Sequence, residues 1–93
     1  MKTKLKLFLN TDSARSGEPE TSLRRLFDQR LAEGYELNVI DVTATPQAAE
    51  DHRILAIPTL VREHPEPVRR IIGDLTDTEQ VAFLLGLLTD SPG

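Results

Sequence analysis

Apolar and polar residues alternate from Lys2 to Asn10, with Leu5, Leu7 and Leu9 on one side and Lys4 and Lys6 on the other. A period of two is the signature of a half-buried strand. A polar loop over 10–18 follows, and Pro19 then suits the first turn of a helix, where an N–H has no intrahelical partner to lose. Glu18 and Glu20 complement the positive end of that helix. Leu23, Leu26, Phe27 and Leu31 recur at helical spacing, and Gly34 supplies the stop. Tyr35–Val42 reads as a second strand whose apolar density predicts a central place in the sheet. Strand, helix and strand in succession make a βαβ unit with parallel strands.

The second half begins at Thr45-Pro46, an N-cap followed by a proline at the first helical position, and predicts a short helix over Pro46–Arg53. Ile57-Pro58-Thr59 then leads into two β-like runs, Thr59–Glu63 and Val68–Ile72, joined by His64-Pro65-Glu66-Pro67 as an antiparallel hairpin. Gly73-Asp74 ends it. Thr76-Asp77-Thr78-Glu79 has the form of a capping box. Val81, Leu84, Leu85 and Leu88 follow at i, i+3, i+4 and i+7. The expected fold is a single α/β domain over 1–93 with a mixed sheet in the thioredoxin-like order βαβαββα, a tail from Asp90 to Gly93 that frays, and a cis peptide at Ile57-Pro58. The run Val81–Leu88 is apolar enough to sit in a sheet, and Gly86 weakens it as a helix by about 1 kcal/mol relative to alanine. Two foldings of this half are therefore close in energy.

Composition narrows the function classes. At 93 residues, with 39% hydrophobic and 28% charged, the chain holds one modest core. The start MKTKLKLFL alternates, so it reads as a strand and not as a signal peptide. No apolar stretch approaches a membrane span. A net charge of −4 opposes non-specific nucleic-acid binding. The absence of cysteine fits a reducing cytoplasm and denies a thioredoxin shape any thiol chemistry.

Catalytic, metal-binding and cofactor-binding residues are not expected. His52 and His64 fit no zinc pattern, the glycines form no phosphate-binding loop, and the serines lack a nucleophile-elbow context. Asp41, at the end of the second strand, reads as structural. The arginines carry more. Arg53, Arg62, Arg69 and Arg70 cluster in an acidic chain, with Arg62 and Arg69 on the two arms of the expected hairpin. That arrangement is open to two readings: a solvated face paired with Glu63 and Glu66, or a docking patch for an acidic partner.

YELNVIDV, Thr45-Pro46-Gln47 with AAEDHRILAIPTL, and above all PVRRIIGDL at Pro67–Leu75 resemble the KaiB family of clock proteins across nearly the whole chain. The resemblance implies a non-enzymatic protein that binds the hexameric ATPase KaiC and helps sequester KaiA, needing no cofactor. It also implies two folds: a βαββααβ ground state that assembles as a tetramer, and a thioredoxin-like state, monomeric or weakly associated, that binds KaiC. Basic residues at Arg53, Arg62 and Arg69 match positions that face KaiC in the family, with Arg70 beside them, and Arg24 matches one associated with KaiA.

Three departures bear on this. Leu9–Glu18 is longer than the family's turn. His64-Pro65-Glu66-Pro67 is similar to the sensor domain of the kinase SasA, which is thioredoxin-like throughout, so a stand-alone SasA-sensor paralogue is the alternative beside a cysteine-less redox relic. Leu84 and Gly86 stand where switching members carry Gly then Asp. Leucine is the better helix former by roughly 0.8 kcal/mol, which favours the thioredoxin-like state around Pro58, Pro65 and Pro67.

Overall fold

Leucine at every second position drives one side of β1 (Thr3–Leu9) into the core, where Leu5, Leu7 and Leu9 are buried; Phe8 is buried on the other side. The structure, a computed structural model, describes residues 2–10, 17–31 and 33–87. The polar loop expected over 10–18 lies largely outside them, as do Leu88 and the tail from Asp90 to Gly93. After β1 come α1 (Gly17–Arg30), β2 (Tyr35–Asp41), α2 (Pro46–Asp51), β3 (Thr59–His64), β4 (Arg69–Ile72) and α3 (Thr78–Leu84). This is the βαβαββα order.

The sheet runs β2-β1-β3-β4, with β1 parallel to β2 and antiparallel to β3, and β3 antiparallel to β4. β2 is thus an edge strand, not the central one its composition suggests. Its apolar residues explain the difference. Tyr35, Leu37 and Val39 pack half-buried against the core, while Glu36 and Asn38 between them are exposed, so only Ile40 beside Phe8 makes the other side of β2 apolar. Val42 lies beyond the strand but still donates its N–H to the Leu9 carbonyl at 2.9 Å.

The main core lies between the β1–β3 centre of the sheet and α1 with α3, where Leu23 and Phe27 meet Leu60, Val81 and Leu85. The buried face of α3 is Val81, Ala82 and Leu85, and Leu84 is 37% exposed, so the helix is rotated from the face expected through Leu84. The cap differs as well. Asp77 accepts from the Gln80 N–H at 3.3 Å, whereas Thr76 donates its N–H (2.9 Å) and its hydroxyl to the Asp74 carboxylate. Those two bonds hold the Asp74 carboxyl below its ordinary range. The expected capping box from Thr76 is therefore replaced by an aspartate turn at Asp74 and an N-cap at Asp77. Thr45 precedes α2 without a side-chain cap, and Pro46 stands at its first turn.

Ile57–Pro58 is cis, the form the sequence reading anticipates; His64–Pro65 and Glu66–Pro67 are cis as well, which it does not anticipate. Both short helices end alike. In α3 the Leu87 N–H bonds the Ala82 carbonyl (2.7 Å) and the Gly86 N–H bonds Phe83 (3.1 Å), with Gly86 at φ 73°. In α2 the Ile54 N–H bonds Ala49 (2.8 Å) and the Arg53 N–H bonds Glu50 (3.0 Å), with Arg53 at φ 53°. Each is a Schellman motif, and α2 makes it with an arginine in the place that glycine usually takes.

Candidate docking surface

The register of the hairpin sorts the arginines. Residues directly opposite across an antiparallel pair share a face. Arg62 pairs with Arg69 and Val61 with Arg70, so Arg62 and Arg69 lie on the α3 side of the sheet and Arg70 on the other. The four arginines read as one cluster in sequence are thus divided between two faces.

Arg62 is also not at the surface. It is 9% exposed, with Nη1 donating to the Leu85 carbonyl at 3.0 Å and Nη2 to the Pro67 carbonyl at 2.9 Å. Its Nε is buried without a partner. Burial and the nearby Arg69 charge pull its pKa below the usual guanidinium value. The expectation that Arg62 stands on an open arm of the hairpin is corrected: its polar fork is used inside the molecule, because β3 is covered on that face by the end of α3.

Arg70 performs the equivalent task on the opposite face. Its Nη1 donates to the Arg53 carbonyl at 3.2 Å and its Nη2 to the His52 carbonyl, so it closes the C-terminal end of α2. Beside it His52 stacks tilted against Phe8, with centroids 5.2 Å apart. His52 Nδ1 donates to the Ala48 carbonyl at 3.0 Å, and Nε2 lies 3.2 Å from Lys6 Nζ and 3.4 Å from Glu63. Lys6 also pairs with Glu63 at 3.2 Å. His52 is therefore a helix-end residue in a polar network, and no group of three metal-ligating side chains exists among the described residues.

What remains at the surface is Arg53, Arg69 and the outer side of Arg70. Around Arg53 lies an apolar set that sequence reasoning missed: Leu55 is 95% exposed, Ile57 43% and Ile72 60%. The signal for Ile72 was available in the strand alternation, since Ile71 points inward. Leu55 sits in a loop with no periodicity to mark its direction. Arg24 lies on α1, where its Nε pairs with Glu20 at 2.9 Å, an interaction that raises its pKa. Asp41 is structural: its carboxylate accepts from the Thr43 N–H (2.9 Å) and hydroxyl (2.7 Å). A cleft of about 450 Å³ opens beside Ile57-Pro58, lined by Leu9, Glu18, Pro19 and Asp74; with no cysteine in the chain it has no thiol to offer.

The KaiB-domain family model matches residues 6–87. The chain belongs to the KaiB family. It is 45% identical over 86 residues to the circadian clock oscillator protein KaiB of Prochlorococcus marinus (strain MIT 9312), covering 92% of this chain and 82% of that protein. It is 40% identical over 83 residues to the circadian clock protein KaiB3 of Synechocystis, covering 89% of this chain and 79% of that one. Among solved structures, the N-terminal domain of Synechococcus elongatus SasA matches with a TM-score of 0.77 at 28% identity, over 92% of this chain and 85% of that chain. Thioredoxin 1 of Thermosipho africanus matches with a TM-score of 0.71 at 15% identity, over 89% of this chain and 90% of that chain, a likeness of fold alone. The KaiB-family sequence thus stands here in a thioredoxin-like fold. No helix among the described residues is long and apolar enough to cross a membrane.

Proposed function

We propose that this chain is a KaiB-type adaptor of the cytoplasm that acts by docking on a KaiC-type ATPase ring, without turnover of its own. The observation that carries the reading is the family match through residues 6–87, which includes both the α2 end and the hairpin. Supporting it, the exposed guanidiniums of Arg53 and Arg69 stand out on a chain of net charge −4 and suit an acidic partner surface. Arg70 fixes the end of α2 behind Arg53, and on the other face of the sheet Arg62 fixes the end of α3 beside Arg69. A KaiA-type protein is the second partner in this reading, with Arg24 on α1 as its contact.

The likeness to the SasA domain favours a second reading, a stand-alone paralogue of that sensor that occupies the same partner without changing fold. Titration of the host's KaiC-type proteins with wild type, Arg53→Glu and Arg69→Glu tests the adaptor. Each reversal is expected to weaken binding about 5- to 100-fold, more at low salt, with little change in thermal midpoint. Absence of wild-type binding to every KaiC-type ring of the host would overturn the adaptor reading.

A further inference from the structure

His52 offers one ring nitrogen to two opposite charges. Its Nδ1 contacts the Ala48 carbonyl at 3.0 Å, and a carbonyl can only accept, so the proton of the neutral ring sits on Nδ1 and Nε2 is bare. That bare nitrogen lies 3.2 Å from Lys6 Nζ and 3.4 Å from Glu63 Oε2, which are themselves 3.2 Å apart. Lys6 can donate to it. Glu63 can accept from it only once it carries a proton. The Ala48 bond and the Phe8 ring, 5.2 Å away between centroids, hold the imidazole in place. Nε2 therefore changes partner without any turn of the ring. The three side chains are between 25% and 36% exposed, so water screens their charges only in part. Around them, the register brings Asn38 of β2 beside Lys6 and Glu36 beside Lys4. Arg70 of β4 donates to the His52 carbonyl. On α2, Glu50 is exposed and Asp51 accepts from Gln47 at 2.9 Å. His64, the second imidazole of the chain, pairs with Lys4.

We infer that His52, Lys6 and Glu63 form a proton-operated switch beneath the α2 end, and that it tunes the attraction of that end for an acidic partner. In the neutral ring, Nε2 accepts from Lys6. When Nε2 takes a proton from water it donates to Glu63, and the Lys6 ammonium, now facing a cation, swings out to solvent on its flexible stem. Histidine is the side chain whose ordinary titration falls between pH 5 and 8. Glu63 and the C-terminal carbonyls of α2 favour the added charge, while Lys6 and Arg70 oppose it. Of the two opponents, Lys6 is free to move away and Arg70 is tied to the His52 carbonyl. The net result is one more positive charge directly behind Arg53 and Arg70. A carboxylate-bearing partner is then held more tightly at lower pH. This last step rests on the adaptor reading, whereas the exchange of partners at Nε2 does not.

Ring-nitrogen NMR of the wild-type protein at about pH 8 should show His52 protonated on Nδ1 alone. On lowering the pH to about 5.5, the Lys6 methylene next to Nζ should move in the same step as the His52 ring. That Lys6 step should vanish in His52→Gln and persist in His64→Gln. A neutral His52 protonated on Nε2, or a Lys6 resonance indifferent to the His52 step, would overturn the switch and leave the adaptor reading standing. The tautomer is read on wild type and needs no variant to fold. The second measurement is the affinity for the host's KaiC-type ring at constant salt, with thermal melts as the folding control. From about pH 8 to about pH 6 the wild type should gain about 2- to 5-fold relative to His52→Gln. An equal gain in both proteins would overturn the link between the switch and docking. No binding by wild type at either pH would overturn the adaptor reading and that link with it, while the NMR result still decides the exchange at Nε2.

Discussion

Arg62 carries a full charge to the apolar side of the sheet and spends it on two carbonyls that no regular ladder satisfies. Leu85 lies at the end of α3 and Pro67 is the second cis proline of the hairpin turn, so one side chain ties three segments together. The planar fork is what makes this possible, because two diverging N–H groups reach two separate acceptors. Removing it strands both carbonyls and leaves a cavity. Arg62→Ala should therefore lower the unfolding free energy by about 2–4 kcal/mol, readable as a lower urea midpoint. Lysine has a single point of attachment and should recover only part of the loss. A change of less than about 0.5 kcal/mol in Arg62→Ala would mean that the guanidinium does not hold α3 to the turn.

At the scale of elements, the hairpin closes both neighbouring helices, α3 through Arg62 on one face and α2 through Arg70 on the other. Each helix end is then completed by a left-handed residue, and the two differ in chemistry: Gly86 for α3 and Arg53 for α2. Opposite outcomes follow. Gly86→Ala should destabilise by about 1 kcal/mol, since the added methyl meets open space but the backbone region is unfavourable for it. Arg53→Gly should stabilise by about 0.5–1 kcal/mol, while removing a cation from the proposed docking face. Chemical denaturation of the two variants side by side reads both signs; a destabilised Arg53→Gly would show that the arginine side chain supports the fold. The element order was legible in sequence because period-2 and period-3.6 runs, Gly34 and the prolines in the first turns of α1 and α2 all act locally. The role of Gly86 was not. Its helix-weakening propensity and its helix-ending geometry look the same in sequence, and only the hydrogen bonds of Leu87 and Gly86 tell them apart. The candidate site was legible as residue types and not as a surface, since the register that parts Arg62 from Arg70 is a long-range property of the sheet.

For the molecule as a whole, the apolar run at 81–88 is the segment whose sequence suits two arrangements of the second half, helix or strand. In the structure its inner face, Val81, Ala82 and Leu85, completes the core over Leu23 and Phe27, and Asp77 and Gly86 bound it at either end. Local capping, packing and the Arg62 bridge thus agree on one answer, which is the condition for a single dominant basin. The thioredoxin-like state should accordingly be the major one in solution, and it should be monomeric or weakly associated, because the tetramer implied by the family resemblance belongs to the other arrangement. NMR secondary shifts should show strands at 59–64 and 69–72 and helix at 78–84, and light scattering at micromolar concentration should give a mass near 10.4 kDa. Strand shifts over 81–87 together with a tetrameric mass would place the resident population in the alternative fold, and Arg62→Ala, by loosening the tie between hairpin and helix, should move any such population upward.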